Sequence, residues 1–349
     1  MRIAQVAPLV ESVPPQFYGG TERVVGYLTE ELVRRGHEVT LFASGDSVTS
    51  ARLRPMCGSA LRLDPGCSHV EPHHLLTVEK VRQAASSFDI IHFHTDLLHF
   101  SCMRQQSTSF LTTLHGRLDL QDVYPLYREF ADLPFVSISD AQRAPLPWLN
   151  WNRTVHHGLP EDLLSFGTGA GGYLAFLGRI APEKRPDRAI RIAKAAGMKL
   201  KIAAKIDRVD QQYFNQAIRP LLCDPLVDFV GEIRDSEKSE FLGNASALLF
   251  PIDWPEPFGL VMIEAMACGT PTIAFRCGSV AEVLSDGISG IVVDSEQEAV
   301  RACHRIGVFD RAAIRRVFLK RFSASRMAQD YLAVYRDIME ESKPPLRAA

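Results

Sequence analysis

The chain contains no apolar run approaching the roughly 18 residues that a membrane-crossing helix requires, so no integral membrane segment is expected. Its start is also unlike a secretory leader: Arg2 to Ala7 reads as a short strand cut off by Pro8, and a cytoplasmic protein is expected. The 7 cysteines are odd in number and scattered, with no Cys-x-x-Cys pair, which excludes a disulfide framework or a zinc ribbon and leaves free thiols. Charge of one sign is lacking as well. With 39 Lys+Arg against 41 Asp+Glu, and neither half strongly basic, the cationic face that nucleic acids or anionic lipids demand is not indicated. Nucleic acid is therefore not an expected partner.

What is present suits globular packing. Apolar residues make up 46% of the 349, enough for two domains with separate cores. Strand and helix signals alternate along both halves, which predicts an α/β fold of two Rossmann-like domains. In the first half the predicted strands are Arg2 to Ala7, Glu38 to Ala43, Ile90 to His94, Phe110 to His115 and Phe135 to Ser139. Between them lie predicted helices at Glu22 to Arg35 and near Thr77 to Ser87, and Asp140 starts another. The second half predicts strands Tyr173 to Leu177, Lys199 to Ala204, Val227 to Val230, Ala247 to Pro251, Thr272 to Phe275, Val280 to Leu284 and Ile291 to Val293. Its helices are expected at Pro186 to Ala196, Gln211 to Leu222, Ser236 to Asn244 and Gly259 to Ala267. From Ser323 to Met339, Met327, Tyr331, Val334, Tyr335 and Ile338 form the apolar stripe of a terminal helix, followed by a tail at Pro344 to Ala349.

The glycine-rich stretch His156 to Gly172 reads as a linker, giving domains at 1–160 and 161–322 and a terminal helix with tail at 323–349. Gly167-x-Gly169-x-x-Gly172 formally matches a dinucleotide fingerprint. It precedes a strand, whereas the fingerprint must follow one and open a helix, so the match is set aside.

The richest chemistry lies in Glu256-Pro257-Phe258-Gly259-Leu260 and the nine residues that follow, up to Gly269. Pro257 keeps Glu256 in a loop, and Gly259 to Ala267 reads as a helix stopped by Gly269. The amides of Phe258, Gly259 and Leu260 then belong to a helix start beside a carboxylate, a place suited to phosphate oxygens or hydroxyls. Glu264 lies two turns on, on roughly the same side, where a carboxylate can accept both hydrogen bonds of a vicinal diol. A capped surface helix with two solvated glutamates is the competing reading of these residues alone.

Three further elements carry polar groups at strand ends. Gly178-Arg179-Ile180-Ala181-Pro182-Glu183-Lys184 follows an apolar strand, and Arg179 with Lys184 can clamp a pyrophosphate, or form an ordinary solvated loop. Tyr18-Gly19-Gly20-Thr21-Glu22 opens a helix with Val24, Val25, Leu28 and Leu32 on its apolar face and Thr21 as the expected N-cap; Gly19 and Gly20 allow amides close to an anion. Phe110 to His115 ends in His115-Gly116. His92-x-His94 places two rings on one strand face, and His94 with Asp96 sits at a strand end that could border an acceptor; a metal site is not expected, because no ligand spacing accompanies the histidines.

In this order the elements resemble the retaining glycosyltransferases of family 4, whose E-x7-E motif is matched by Glu256 and Glu264 and whose Gly-Arg-x4-Lys element is matched by Gly178 to Lys184. The resemblance covers nearly the whole chain and implies the GT-B fold, two Rossmann-like domains facing across a cleft, with the terminal helix crossing back to the first. It also implies the roles. Glu256, Phe258, Gly259 and Leu260 would face the donor sugar, Glu264 the nucleotide ribose, and Arg179, Lys184, Gly19 and Gly20 the diphosphate. His115 would lie beside the reacting sugar and the donor phosphates. The catalytic set is then His115, Arg179, Lys184 and Glu256. Val13-Pro14-Pro15-Gln16 is similar to an insertion in some antibiotic-sugar transferases of the family.

The expected activity is retaining transfer from a nucleotide-diphosphate sugar to a hydroxyl of a small molecule or saccharide. No cofactor beyond that substrate is implied. No Asp-x-Asp occurs, which fits a metal-independent GT-B enzyme in which cations and helix starts neutralise the leaving group. A same-fold nucleotide-sugar epimerase and a noncatalytic nucleotide-sugar binding module are the alternatives; intact Glu256, Arg179, Lys184 and His115 count against the second.

Overall fold

The computed structural model describes residues 1–16 and 19–341; Tyr18 and the tail Pro344 to Ala349 lie outside the described residues. The chain divides into two compact units, Met1–Gly158 together with the chain from Ala324 onward, and Leu159–Ser323.

The first unit is built on a seven-stranded sheet in the order β3-β2-β1-β4-β5-β6-β7. Its strands are β1 Arg2–Val6, β2 Glu38–Ser44, β3 Arg52–Cys57, β4 Ile90–Phe93, β5 Ser109–Thr113, β6 Phe135–Ser137 and β7 Trp151–Thr154. Every pairing is parallel. Parallel sheets are covered on both faces, so their central strands are buried; β4 and the end of β1 are fully buried, and apolar but for Gln5 and His92. The helix Gly20–Arg34 buries Val24, Val25, Leu28 and Leu32. The terminal helix Ala324–Glu341 buries Met327, Tyr331, Val334, Tyr335 and Ile338, the stripe read from the sequence, and packs on helix Gly20–Arg34 and β5.

The second unit carries a six-stranded sheet in the order β10-β9-β8-β11-β12-β13. Here β8 is Tyr173–Arg179, β9 Lys199–Lys205, β10 Val227–Gly231, β11 Ala247–Phe250, β12 Thr272–Phe275 and β13 Gly290–Val293, again all parallel. In each sheet the strand order reverses once, between β1 and β4 and between β8 and β11. Ligands of open parallel sheets bind beyond the carboxyl ends of the strands at such a reversal, which singles out the loops after these four strands.

Several local expectations are corrected. Thr21 is not the N-cap: the helix begins at Gly20 with Gly19 as its cap, two residues sooner. Arg179 lies within β8, not beyond it, since β8 stays paired with β9 as far as Lys205. Strand β5 stops at Thr113, two residues before His115. Val280–Val283 is a helical turn and not a strand; Ser279 bends the chain by donating its amide to Glu256 O and its hydroxyl to Phe258 O. The helix expected over Gln211 to Leu222 breaks into a helical turn, a π-helical stretch Phe214–Ile218 and a 3-10 segment Arg219–Cys223, where Pro220 has no amide hydrogen for the ladder. Edge strands β3 and β7 have no continuous apolar run and were not anticipated.

The glycine-rich stretch also behaves differently from a free linker, because from Leu159 it is strapped onto the second unit. The amides of Gly167, Gly169 and Gly171 donate to the carbonyls of Cys268, Gly243 and Asn244 at 2.9–3.0 Å. Arg311 holds the other side, donating to the carbonyls of Gly167, Gly243 and Ala245 and to Thr270 Oγ1. A Cβ at Gly167 would stand 2.2 Å from the Gly243 backbone, so this glycine serves chain-to-chain contact, not nucleotide binding. Gly167→Ala is accordingly expected to lower stability by about 1–3 kcal/mol, the usual cost of overpacking. A chemical-denaturation midpoint equal to that of the unsubstituted protein would contradict this packing.

Candidate active site

At the strand reversal of the second unit, β8 and β11 deliver their loops side by side. The β8 loop carries Lys184, the β11 loop Trp254 and Glu256, and Asp253 N donates to Glu183 O at 2.9 Å to tie the two loops together. Lys184 Nζ is ion-paired with Glu256 Oε2, and the Trp254 indole N–H donates to the same oxygen at 2.8 Å. The ammonium also stands 4.7 Å from the centre of the Trp254 ring. Glu256 is 9% exposed, so a charge there requires such partners. Both contacts use Oε2. Among the described residues no hydrogen bond to Oε1 is seen.

Arg179 is compensated differently. Its guanidinium is ion-paired with Glu183 and lies 3.6 and 3.5 Å from Asp207 and Asp210. Burial pushes the Asp210 carboxyl up while Arg179 pulls it down. The two cations named from the sequence therefore each meet a carboxylate, Lys184 that of Glu256 and Arg179 those of its own loop and the β9 loop.

The helix Leu260–Ala267 starts at Gly259, which adopts φ +78°. The Phe258 ring is buried, its centre 6.1 Å from that of Phe322, and its carbonyl accepts from Ser279. Glu264 is 4% exposed and ion-paired with Lys238 Nζ at 2.7 Å, while Lys238 also reaches Asp235 at 3.0 Å. Glu256 and Glu264 thus have separate cationic partners. Sequence reasoning missed Trp254, Lys238, Asp207 and Asp210. The Trp-Pro-Glu-Pro-Phe-Gly run was a usable signal for the first, whereas Lys238 sits on a preceding helix with nothing in its spacing to link it to Glu264.

In the first unit the reversal between β1 and β4 gathers neutral groups. His115 lies just beyond β5, its Nε2 2.9 Å from His94 Nδ1, and its ring is stacked on His157 with centres 5.3 Å apart. His94 Nε2 meets Gln5 Oε1 at 2.7 Å, and His92 bridges Tyr335 and Thr113. Burial pushes the His115 imidazole down to about 3 and holds His92, His94 and His157 well below the ordinary imidazole range. All four are therefore neutral near pH 7. Gly19 sits so close to Pro15 that a Cβ would meet it at 2.9 Å, and Gly20 is exposed at the start of its helix. Beside that start, and not anticipated, lie two buried carboxylates: Glu11, paired with Arg62 at 2.8 Å, and Glu22, whose pKa burial raises.

Among the described residues no group of three or more His, Cys, Asp or Glu could hold a metal ion, and no helix is long and apolar enough to cross a membrane. The histidines instead hydrogen-bond to one another and to neighbouring polar side chains.

Comparison with known proteins gives two family matches in tandem: Glycosyltransferase Family 4 over residues 18–153 and Glycosyl transferases group 1 over residues 169–306. A phosphatidyl-myo-inositol mannosyltransferase of Mycolicibacterium smegmatis is 26% identical, with 97% of this chain and 92% of that protein covered. The chain also spans less than half the length of several D-inositol 3-phosphate glycosyltransferases that it matches. Among solved structures, a glycosyltransferase involved in avilamycin A biosynthesis superposes with TM-score 0.70 at 23% identity, covering 97% of this chain and 98% of that one. Anabaena HepE, solved with UDP and glucose, superposes with TM-score 0.72 at 18% identity, over 97% of this chain and 100% of that one. Two Rossmann-like units, the motif order and the tandem match together establish that this chain is a glycosyltransferase of family 4 with the GT-B fold.

Proposed function

We propose that the protein transfers a sugar from a nucleotide-diphosphate donor to a hydroxyl of a small molecule or saccharide, with retention at the anomeric carbon. The observation that carries this reading is the Glu256 carboxylate, held by Lys184 and Trp254 through one oxygen and open at the other. A buried carboxylate held in that way is preorganised to accept sugar hydroxyls, and Lys184 beside it can turn to the diphosphate. The second unit is assigned the donor, with Arg179, Lys184 and the helix start at Gly259 and Leu260 toward the diphosphate and sugar, and Glu264 toward the ribose. The first unit is assigned the acceptor side, with His115 beyond its strand reversal beside the reacting sugar, while Gly19 and Gly20 border the donor diphosphate. HepE, solved with UDP and glucose, supports a donor of this class.

In the proposed step the bond from the anomeric carbon to the leaving phosphate oxygen breaks, and the acceptor oxygen bonds to the same face. The acceptor proton passes to the leaving phosphate, whose growing charge is met by Arg179 and Lys184. Because Arg179 is already surrounded by Glu183, Asp207 and Asp210, diphosphate binding exchanges partners and does not fill a bare cation site. The seven free cysteines suit a reducing compartment, and we place the enzyme in the cytoplasm.

Arg179→Ala or Lys184→Ala is expected to reduce turnover by about 10²–10³-fold with little change in folding, the usual effect of losing one donor to developing negative charge. Near-normal turnover in a variant removes that residue from the role. The glutamates are separated by calorimetry, using the nucleotide selected by a thermal-shift panel of UDP-, GDP-, ADP- and TDP-sugars. Glu264→Ala is expected to weaken the bare nucleoside diphosphate by roughly 1–3 kcal/mol, while Glu256→Ala spares it and weakens the nucleotide sugar. Equal losses for both ligands in both variants contradict the assignments. Activity is also expected to persist after exhaustive EDTA treatment, with magnesium or manganese changing the rate only modestly; loss restored by zinc would point to the histidines as ligands.

A further inference from the structure

In the first sheet Gln5, His92, His94 and Thr113 belong to one continuous hydrogen-bonded chain that ends at His115. Gln5 on β1, His94 just beyond β4 and His115 just beyond β5 stand on three adjacent strands. From Gln5 the chain also runs the other way: Gln5 Nε2 donates to the Tyr335 hydroxyl at 3.0 Å, which meets His92 Nδ1 at 2.8 Å. His92 Nε2 then lies 2.7 Å from Thr113 Oγ1, and that oxygen is 3.0 Å from the Tyr331 hydroxyl.

The amide of Gln5 gives this chain a direction. A carbonyl oxygen only accepts, so the 2.7 Å contact from His94 Nε2 to Gln5 Oε1 requires the hydrogen on that nitrogen. A neutral imidazole with Nε2–H has a bare Nδ1. His94 Nδ1 therefore accepts, and its 2.9 Å partner, His115 Nε2, must be the donor. The same rule applied to His115 leaves its Nδ1 bare, and among the described residues that shielded atom has no hydrogen-bond partner. Both rings are kept neutral by burial, which is what lets the rule run from one to the next. On the far side, the amide nitrogen of Gln5 needs an acceptor, and the Tyr335 hydroxyl oxygen supplies it.

We propose that Gln5, acting through His94, is a positioning residue that sets the tautomer of His115, so that His115 presents a bare Nδ1 to its ligand and accepts a hydrogen bond from a sugar or acceptor hydroxyl. A diphosphate oxygen near neutral pH has no hydrogen to offer, and two lone pairs repel. The ligand group at His115 is thus a hydroxyl, and the phosphate charge falls to other residues. This inference rests on the assignment of His115 to the acceptor-side site.

The test reads the tautomer directly in the full-length, ligand-free protein carrying 15N-histidine, with the His115 signal identified by its loss in His115→Asn. The expected state is Nε2–H. Gln5→Glu keeps an acceptor toward His94 and is expected to retain that tautomer. Gln5→Leu removes it, so His115 is expected to become a tautomer mixture and kcat to fall about 10- to 100-fold, the scale typical of losing an outer partner that orients a histidine, with nucleoside diphosphate affinity unchanged. An Nδ1–H tautomer in the unsubstituted protein overturns the proposal, as does a Gln5→Leu spectrum identical to it. Should Gln5→Leu not fold, the unsubstituted and Gln5→Glu spectra still decide. Full turnover in His115→Asn would instead sink the assignment of His115 to the site, an outcome separate from the tautomer.

Discussion

The first unit depends on how its buried polar side chains are satisfied. Gln5, His92 and Thr113 sit at 0% exposure inside a parallel sheet, where an unpaired polar group costs about 1–3 kcal/mol. The terminal helix meets that requirement. Tyr335 and Tyr331 are fully buried, yet each places a hydroxyl against the sheet's polar side chains, at Gln5 and His92 for one and Thr113 for the other. The helix therefore does more than cover apolar surface, because its hydroxyls complete the network on which the order of the sheet's ends relies. Burial also raises the Tyr335 phenol well above its ordinary pKa, so it remains a hydroxyl able both to donate and to accept.

The second unit solves a different problem, that of keeping charge in a partly buried site. Each of the two buried carboxylates has its own cation: Glu256 has Lys184, and Glu264 has Lys238. Such pairs remove much of the desolvation penalty of a lone buried carboxylate, and they hold its orientation at the same time. Trp254 adds a neutral donor to the same Glu256 oxygen and an aromatic face for the ammonium, so the pair is directed as well as balanced. Arg179 instead shares its charge among three carboxylates on two loops, which keeps the end of β8 and the loop after β9 in fixed relation.

The two strand reversals thus use one topological rule with contrasting chemistry. Neutral imidazoles linked by hydrogen bonds stand at the one in the first unit, beside the Glu11–Arg62 pair, and ion pairs line the one in the second. A neutral, direction-defined chain suits recognition of hydroxyls. Paired charges suit a ligand that itself carries charge and exchanges partners on arrival. The division of labour assigned to the two units follows from that difference.

The sequence by itself determined much of this. Apolar runs of parallel-strand type, helix stripes such as Met327 to Ile338, and the Glu256 and Gly178 motifs are local patterns, with periods and spacings legible in a single chain. Edge strands β3 and β7 were not legible, because half-exposed strands lack a continuous apolar run, and the Val280 turn was misread because four apolar residues fit either element. Only the tertiary structure decided the partners: Lys238 for Glu264, Trp254 for Glu256, Gln5 and His94 for His115, and Gly243 for the glycines once read as a linker. The physical reason is that hydrogen bonds and ion pairs are set by where neighbouring strands end in space, and parallel strands joined by long crossovers bring together residues whose sequence separation carries no trace of that adjacency.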